Sequence, residues 1–138
     1  MDQPITASEF KRRLAQLCLS GQSNDLPRKQ RDRQIILKSV ILHLSKERSY
    51  SERELNTALM QWVGEVGHWL TVDQAALRRA LVDEKYLDRT EGGTSYQLSD
   101  QGGVGWFDPA VEELNPAQVI DEAILEAVAK RDKYRNQS

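Results

Sequence analysis

The chain is poor in the features that most often reveal a chemistry. It has one cysteine, Cys18, which excludes an internal disulfide framework and a thiolate metal site and fits a reducing, cytoplasmic location. No long apolar run is present. The densest, "IILKSVILHL", is 10 residues and contains Lys38 and His43, too short and too polar to span a bilayer. The N-terminal "MDQPITASEF" has no basic region followed by an apolar stretch, so no secretory signal is expected. No repeat and no low-complexity segment occurs. The two histidines, His43 and His68, lie 25 residues apart with no HExxH spacing, and the glycines of "EGG" and "QGGVG" do not form a strand-to-helix phosphate fingerprint. No pair of carboxylates stands out by an apolar setting. These gaps lead to the expectation that the chain is not an enzyme and carries no metal or cofactor.

What is present is an ordinary globular balance, 39% hydrophobic and 29% charged over 138 residues, enough for one domain with a core. The net charge of −2 hides a strong segregation. Residues 26–53 carry 8 basic and 3 acidic side chains, residues 99–126 carry 7 acidic and none basic, and residues 127–138 return to a net +3. A basic block can meet phosphates. An acidic block can meet a basic protein partner, or the chain's own basic block.

Periodicity orders the chain as four helices, a hairpin and a last helix. Thr6 and Glu9 form a capping box ahead of Phe10, Leu14, Leu17 and Cys18 at helical spacing. After the turn formers "SGQSND", Pro27 suits the first position of a helix running to Leu44, with Leu37, Val40, Ile41 and Leu44 as its stripe and Ile36 and Leu42 widening it. Ser51 and Glu54 make a second box, opening a helix to Trp62 that "GEVGHWL" breaks. Thr71 and Gln74 make a third, for a helix to Glu84 with Ala76, Leu77, Ala80 and Leu81 inward. "YLDRT" and "TSYQL" then alternate around Glu91-Gly92-Gly93 as a hairpin between Tyr86 and Leu98. A Gly-rich connector holds Trp106 and Phe107, and Asn115-Pro116 starts a final helix with Ile120, Ala123, Ala127 and Tyr134 on one stripe. The expected fold is therefore mainly α with a small β-hairpin, a winged helix-turn-helix core. Residues 1–25 form an N-terminal amphipathic helix and linker, 26–98 the core, and 99–138 the connector and C-terminal helix.

Two stretches, "YSERELN" and "DQAALRRALVDEKYLDR", resemble a bacterial domain of unknown function that occurs alone or fused behind ArsR-type transcriptional regulators. Tyr50, Glu52, Glu54, Asn56, Asp73, Leu77, Arg78, Arg79, Leu81, Val82, Asp83, Leu87, Arg89 and Tyr96 carry the match. The resemblance implies a winged-helix-like fold and an association with transcription, and no activity. Lys85 stands where that family often has glycine, so the helix end is expected to cap differently.

Two readings stay open. In the first, a dimeric DNA-binding or transcription-associated protein places Gln74 and Arg78 in the major groove, with Arg89 on the hairpin and Arg28, Lys29 and Arg31 on phosphates. Against it, the helix bearing Arg78 is neutral, whereas phosphate neutralisation supplies much of DNA affinity. Arg79 is expected to pair with Asp83 at i+4, and Arg78 either to enter the groove or to pair with Glu52, Glu54 or Asp83 and fix the helix-turn-helix geometry. In the second, a protein-interaction module uses the acidic 99–126 segment with Trp106 and Phe107. In either, Ile120, Ala123 and Ala127 are candidates for a homodimer seam.

Overall fold

In the computed structural model, residues 3–19, 25–68, 73–90, 92 and 94–136 are described. The linker at 20–24, Trp69, Thr71 with its expected box, the turn residues Glu91 and Gly93, and the last two tail residues lie outside them. Five helices, α1 (Ala7–Leu19), α2 (Gln30–His43), α3 (Glu52–Glu65), α4 (Gln74–Asp83) and α5 (Pro116–Asn136), accompany three strands, β1 (Tyr50–Ser51), β2 (Leu87–Arg89) and β3 (Ser95–Leu98). The fold is mainly α with a small antiparallel sheet.

Helix α2 is the centre. Ile35, Ile36, Leu37, Val40 and Ile41 are all buried, so it is covered on most sides, as a helix apolar around most of its circumference must be. It starts three residues later than expected. Pro27 precedes it, and Lys29 occupies the N-cap without a side-chain bond. Helix α3 opens as expected: Ser51 accepts from the Glu54 N–H at 3.1 Å and the Glu54 carboxylate accepts from the Ser51 N–H at 2.9 Å. It runs past Trp62 to Glu65, taking Gly64 into the helix, so the break falls one turn later than the glycines suggest. Trp62, fully buried, donates its Nε1–H to Ser39 Oγ at 3.1 Å. Asp73 caps α4, accepting from the Ala76 N–H at 2.7 Å.

The sheet runs in the order β1-β3-β2, antiparallel throughout, with Tyr50 opposite Tyr96 and Leu87 opposite Leu98. The hairpin is the expected one, whereas β1 was not foreseen, because two residues are too few to show an alternating pattern. Helix, short strand, two helices and a hairpin with this strand order are the topology of a winged helix-turn-helix, in which α4 is the third helix and β2–β3 the wing.

The two flanking helices belong to the same core. Phe10, Leu14 and Cys18 of α1 and Val119 and Ile120 of α5 join one buried cluster with α2. Thr6 caps α1, accepting from the Glu9 N–H at 3.1 Å, but the Glu9 carboxylate does not return to complete the box: it binds Arg31. The Gly-rich connector folds back over the N-terminal segment. Ile5 donates to the Trp106 carbonyl at 2.7 Å and accepts from the Asp108 N–H at 2.9 Å. Gly102 passes so near Tyr86 that a Cβ there would lie 2.5 Å from the Tyr86 Cα, so a side chain at 102 forces the backbones apart.

Candidate nucleic-acid interface

The basic block of residues 26–53 is largely neutralised within the molecule. Arg31 bonds both Glu9 carboxylate oxygens, at 2.5 and 2.8 Å, and the Gln3 carbonyl at 2.9 Å. Arg33 pairs with Glu84. Lys38, its side chain only 9% exposed, pairs with Glu112, which Lys46 also reaches at 3.0 Å. Arg48 pairs with Glu54 at 2.5 Å. The acidic 99–126 segment thus gives Glu112 to the chain's own lysines. Burial raises the Glu112 carboxyl, but hydrogen bonds from Lys38 and Lys46 and their charge outweigh it and hold the pKa below 4.5. The hydrogen bond from Arg31 likewise lowers that of Glu9.

The end of α4 is anchored to α2 by a polar chain. Gln34, 4% exposed, donates to Glu84 at 2.8 Å and accepts from the Tyr86 hydroxyl. Burial, with the Glu84 charge beside it, pushes the Tyr86 phenol well above its ordinary value, so it is a neutral donor. Lys85 itself has φ 70°, the left-handed region. Its N–H reaches the Val82 carbonyl at 3.1 Å, and the Tyr86 N–H reaches that of Leu81 at 2.9 Å. This pair of bonds is a Schellman cap. The different cap expected from Lys85 is therefore corrected: the glycine-type geometry is retained with a lysine in it.

Helix α4 packs mainly against α3 and β2, while α1 packs on α2 and α5. The outer row of α4 is thus left uncovered by the flanking helices. Between α4 and the wing lies a groove of about 240 Å³, lined by Ala75, Arg78, Arg79, Val82, Asp83, Arg89 and Tyr96. Its charged lining is three arginines and one carboxylate. Tyr96, buried on β3, sits under it, with the Arg78 and Arg89 guanidinium carbons 5.9 and 5.8 Å from its ring centroid, within cation–π range.

The candidates divide on this geometry. Arg78 and Arg89 are brought together. Gln74, half-buried, begins α4 one turn before Arg78. Arg28 and Lys29 are exposed but lie ahead of α2, near the opposite end of α4, where Gln30 reaches Glu84 at 3.3 Å. Arg31 is bound to α1, so its expected place among free phosphate contacts is corrected. The two α4 arginines exchange roles. Arg78, 18% exposed, donates to Asn56 Oδ1 at 2.7 Å and pairs with Glu52 at 3.1 Å, tying α4 to α3. Arg79 is exposed and makes no ion pair among the described residues, with Asp83 or any other acid. Reading helix spacing alone missed this, because i+4 proximity permits a pair without requiring it. Tyr96 was missed as a site residue, although its place in the return strand was legible.

The residues expected to meet a partner mostly pack at home. The Phe107 ring meets Phe10 edge-on at 6.2 Å and lies under Lys38 at 5.6 Å, and Trp106 packs on the same core. Ile120 is buried in the chain's own core, which removes it from the expected seam, while Ala123 is half-buried and Ala127 exposed. Among the described residues no cluster of histidine, cysteine or acids is placed to hold a metal ion, and no helix is long and apolar enough to cross a membrane.

The fold and this groove define a winged-helix domain with an arginine-lined cleft between its third helix and its wing. The chain belongs to the family of uncharacterized proteins conserved in bacteria (DUF2087), whose model matches residues 24–98, more than half of its length. No curated protein and no solved structure matches it.

Proposed function

We propose that this chain is a binding protein, not an enzyme, and that it contacts duplex DNA through the groove between α4 and the wing. The observation that carries the reading is the convergence of Arg78, Arg79 and Arg89 over Tyr96 on a face that α1 and α5 leave open. Guanidinium groups on a winged helix's third helix and wing are suited to phosphate oxygens, which they bind bidentately. In this reading Arg79 and Arg89 neutralise phosphate. Arg78 positions α4 against α3 through Asn56 and Glu52 and does not read a base, because a base contact would require breaking both bonds. Gln74 remains the candidate for direct base contact. A role in transcription fits the fold, and a homodimer fits it too, since paired winged helices read paired half-sites.

The competing reading, a protein-interaction module built on Trp106, Phe107 and the acidic segment, is less supported. Those aromatics are packed on Phe10 and Ile5, and Glu112 is engaged by two lysines.

The test is duplex binding as a function of salt. Two groove arginines, with Arg28 and Lys29 able to add two more, give a slope of log affinity against log salt of roughly −2 to −4 per domain, at about −0.9 per phosphate. The double change Arg79→Ala and Arg89→Ala makes the slope shallower by about two units, while Arg31→Ala leaves it unchanged. No duplex retention at about 50 mM salt, where electrostatic attraction is strong, rejects the proposal.

A further inference from the structure

Helix α5 extends beyond the body it is rooted in. Its 21 residues make a rod of about 31 Å at 1.5 Å per residue. Among its residues from 116 to 135 only Pro116, Val119 and Ile120 are buried, and every residue from 124 to 135 is exposed. Ile124 is 42% exposed, Leu125 68%, Val128 39% and Tyr134 71%. A stretch of this length is marginal as an isolated helix in water, where stable helices need roughly 12–15 residues or more. An uncovered apolar stripe on it calls for a partner.

The sequence of the stripe indicates which partner. At 100° per residue, Asp121, Ile124, Val128 and Arg131 fall on one face. All four are exposed, and their spacing is three, four and three residues. That spacing reads the same in both directions. Its ends carry opposite charge, and its middle is apolar. Reversed end to end, acid–apolar–apolar–base becomes base–apolar–apolar–acid at the same heights. The helix is weighted the same way, with Asp121, Glu122 and Glu126 up to its midpoint and four bases, Lys130, Arg131, Lys133 and Arg135, against one acid, Asp132, beyond it.

We infer that this face is completed by α5 of a second copy of the chain, packed antiparallel about a two-fold axis level with residue 126. The axis sets Ile124 against Val128 of the second copy, twice, and Asp121 against Arg131, twice. This is the self-complementary arrangement that an isologous dimer requires. A parallel pair would face Asp121 with Asp121 and Arg131 with Arg131, so like charges exclude that orientation. Leu125 flanks the seam and is covered with it. Ala127, on the seam anticipated from small residues, borders the opposite edge of this face, as far from its centre as Leu125.

Charge reversal tests the register directly in the full-length chain. Sedimentation velocity at micromolar concentration is expected to show a dimer for the natural sequence. Asp121→Arg alone and Arg131→Asp alone each place two like-charge pairs in the seam and weaken the dimer by about tenfold or more. A one-to-one mixture of the two variants restores association as a heterodimer, because its contacts are then Arg with Asp at both ends. The double variant carrying both changes restores the homodimer. Circular dichroism and thermal melts of each variant serve as the folding control, and the exposed sites should leave them unchanged. A monomeric natural chain overturns the inference. So do single variants that dimerise like the natural chain, or a mixture that stays as weak as its components.

Discussion

Replacing Lys85 by glycine should stabilise the protein. Lys85 is the only non-glycine residue with positive φ among those described, and its φ of 70° is imposed by the Schellman bonds that end α4. A residue with a Cβ in the left-handed region costs about 1–2 kcal/mol. Glycine removes that cost but enlarges the unfolded ensemble, which returns about 0.4–1 kcal/mol. The balance is a gain of about 0.5–1 kcal/mol. Nothing is lost with the side chain, because Lys85 is exposed and makes no ion pair or side-chain hydrogen bond among the described residues. For a domain of this size the gain is about 2–4 °C in Tm. The measurement is urea unfolding at constant m, with Lys85→Ala as the comparison. Alanine removes the same charge and stem but keeps the Cβ, so it should not share the gain. If glycine is no more stable than lysine, or if alanine gains as much as glycine, backbone strain is not what Lys85 carries. The turn also directs the chain from α4 into the wing, so the variant should keep the α4–wing groove.

Ser39→Ala leaves the Trp62 indole N–H buried without an acceptor and should cost about 1–3 kcal/mol in urea unfolding; a loss within a few tenths of zero would mean the bond is not made. Glu112→Gln leaves the buried Lys38 ammonium without its anion. The loss should be about 1–3 kcal/mol at neutral pH, below the value for a fully buried pair because Glu112 is itself 41% exposed. The folded Glu112 pKa lies below 4.5, so its contribution is complete above 4.5 and disappears as pH falls through the folded value. The natural chain should therefore lose more stability than the Gln variant between pH 7 and about pH 3, and parallel losses in urea midpoints would contradict this.

How far the sequence alone determined this protein can be judged element by element. Local chemistry was legible. The Ser51–Glu54 box, the inward Leu77, Ala80 and Leu81, and the alternating strands on either side of Gly92 are written within a few residues, and each formed close to where it was expected. The winged-helix order followed from those elements, and the bacterial family from two separated motifs. Strand β1 was not legible, since two residues become a strand only when β3 lies beside them.

The partnership of charges was decided by tertiary structure. Glu9 satisfies both the local box rule and the reach of Arg31, 22 residues away, and the charge-assisted bond to the guanidinium prevailed. A run of basic residues looks the same in sequence whether it awaits a phosphate or a distant carboxylate. Glu84 and Glu112, 51 and 74 residues from their partners Arg33 and Lys38, made the difference. Arg78 and Arg79 are neighbours of identical type, and only the position of α3, which offers Glu52 and Asn56 to one of them, separates a residue that builds the fold from one left facing the solvent.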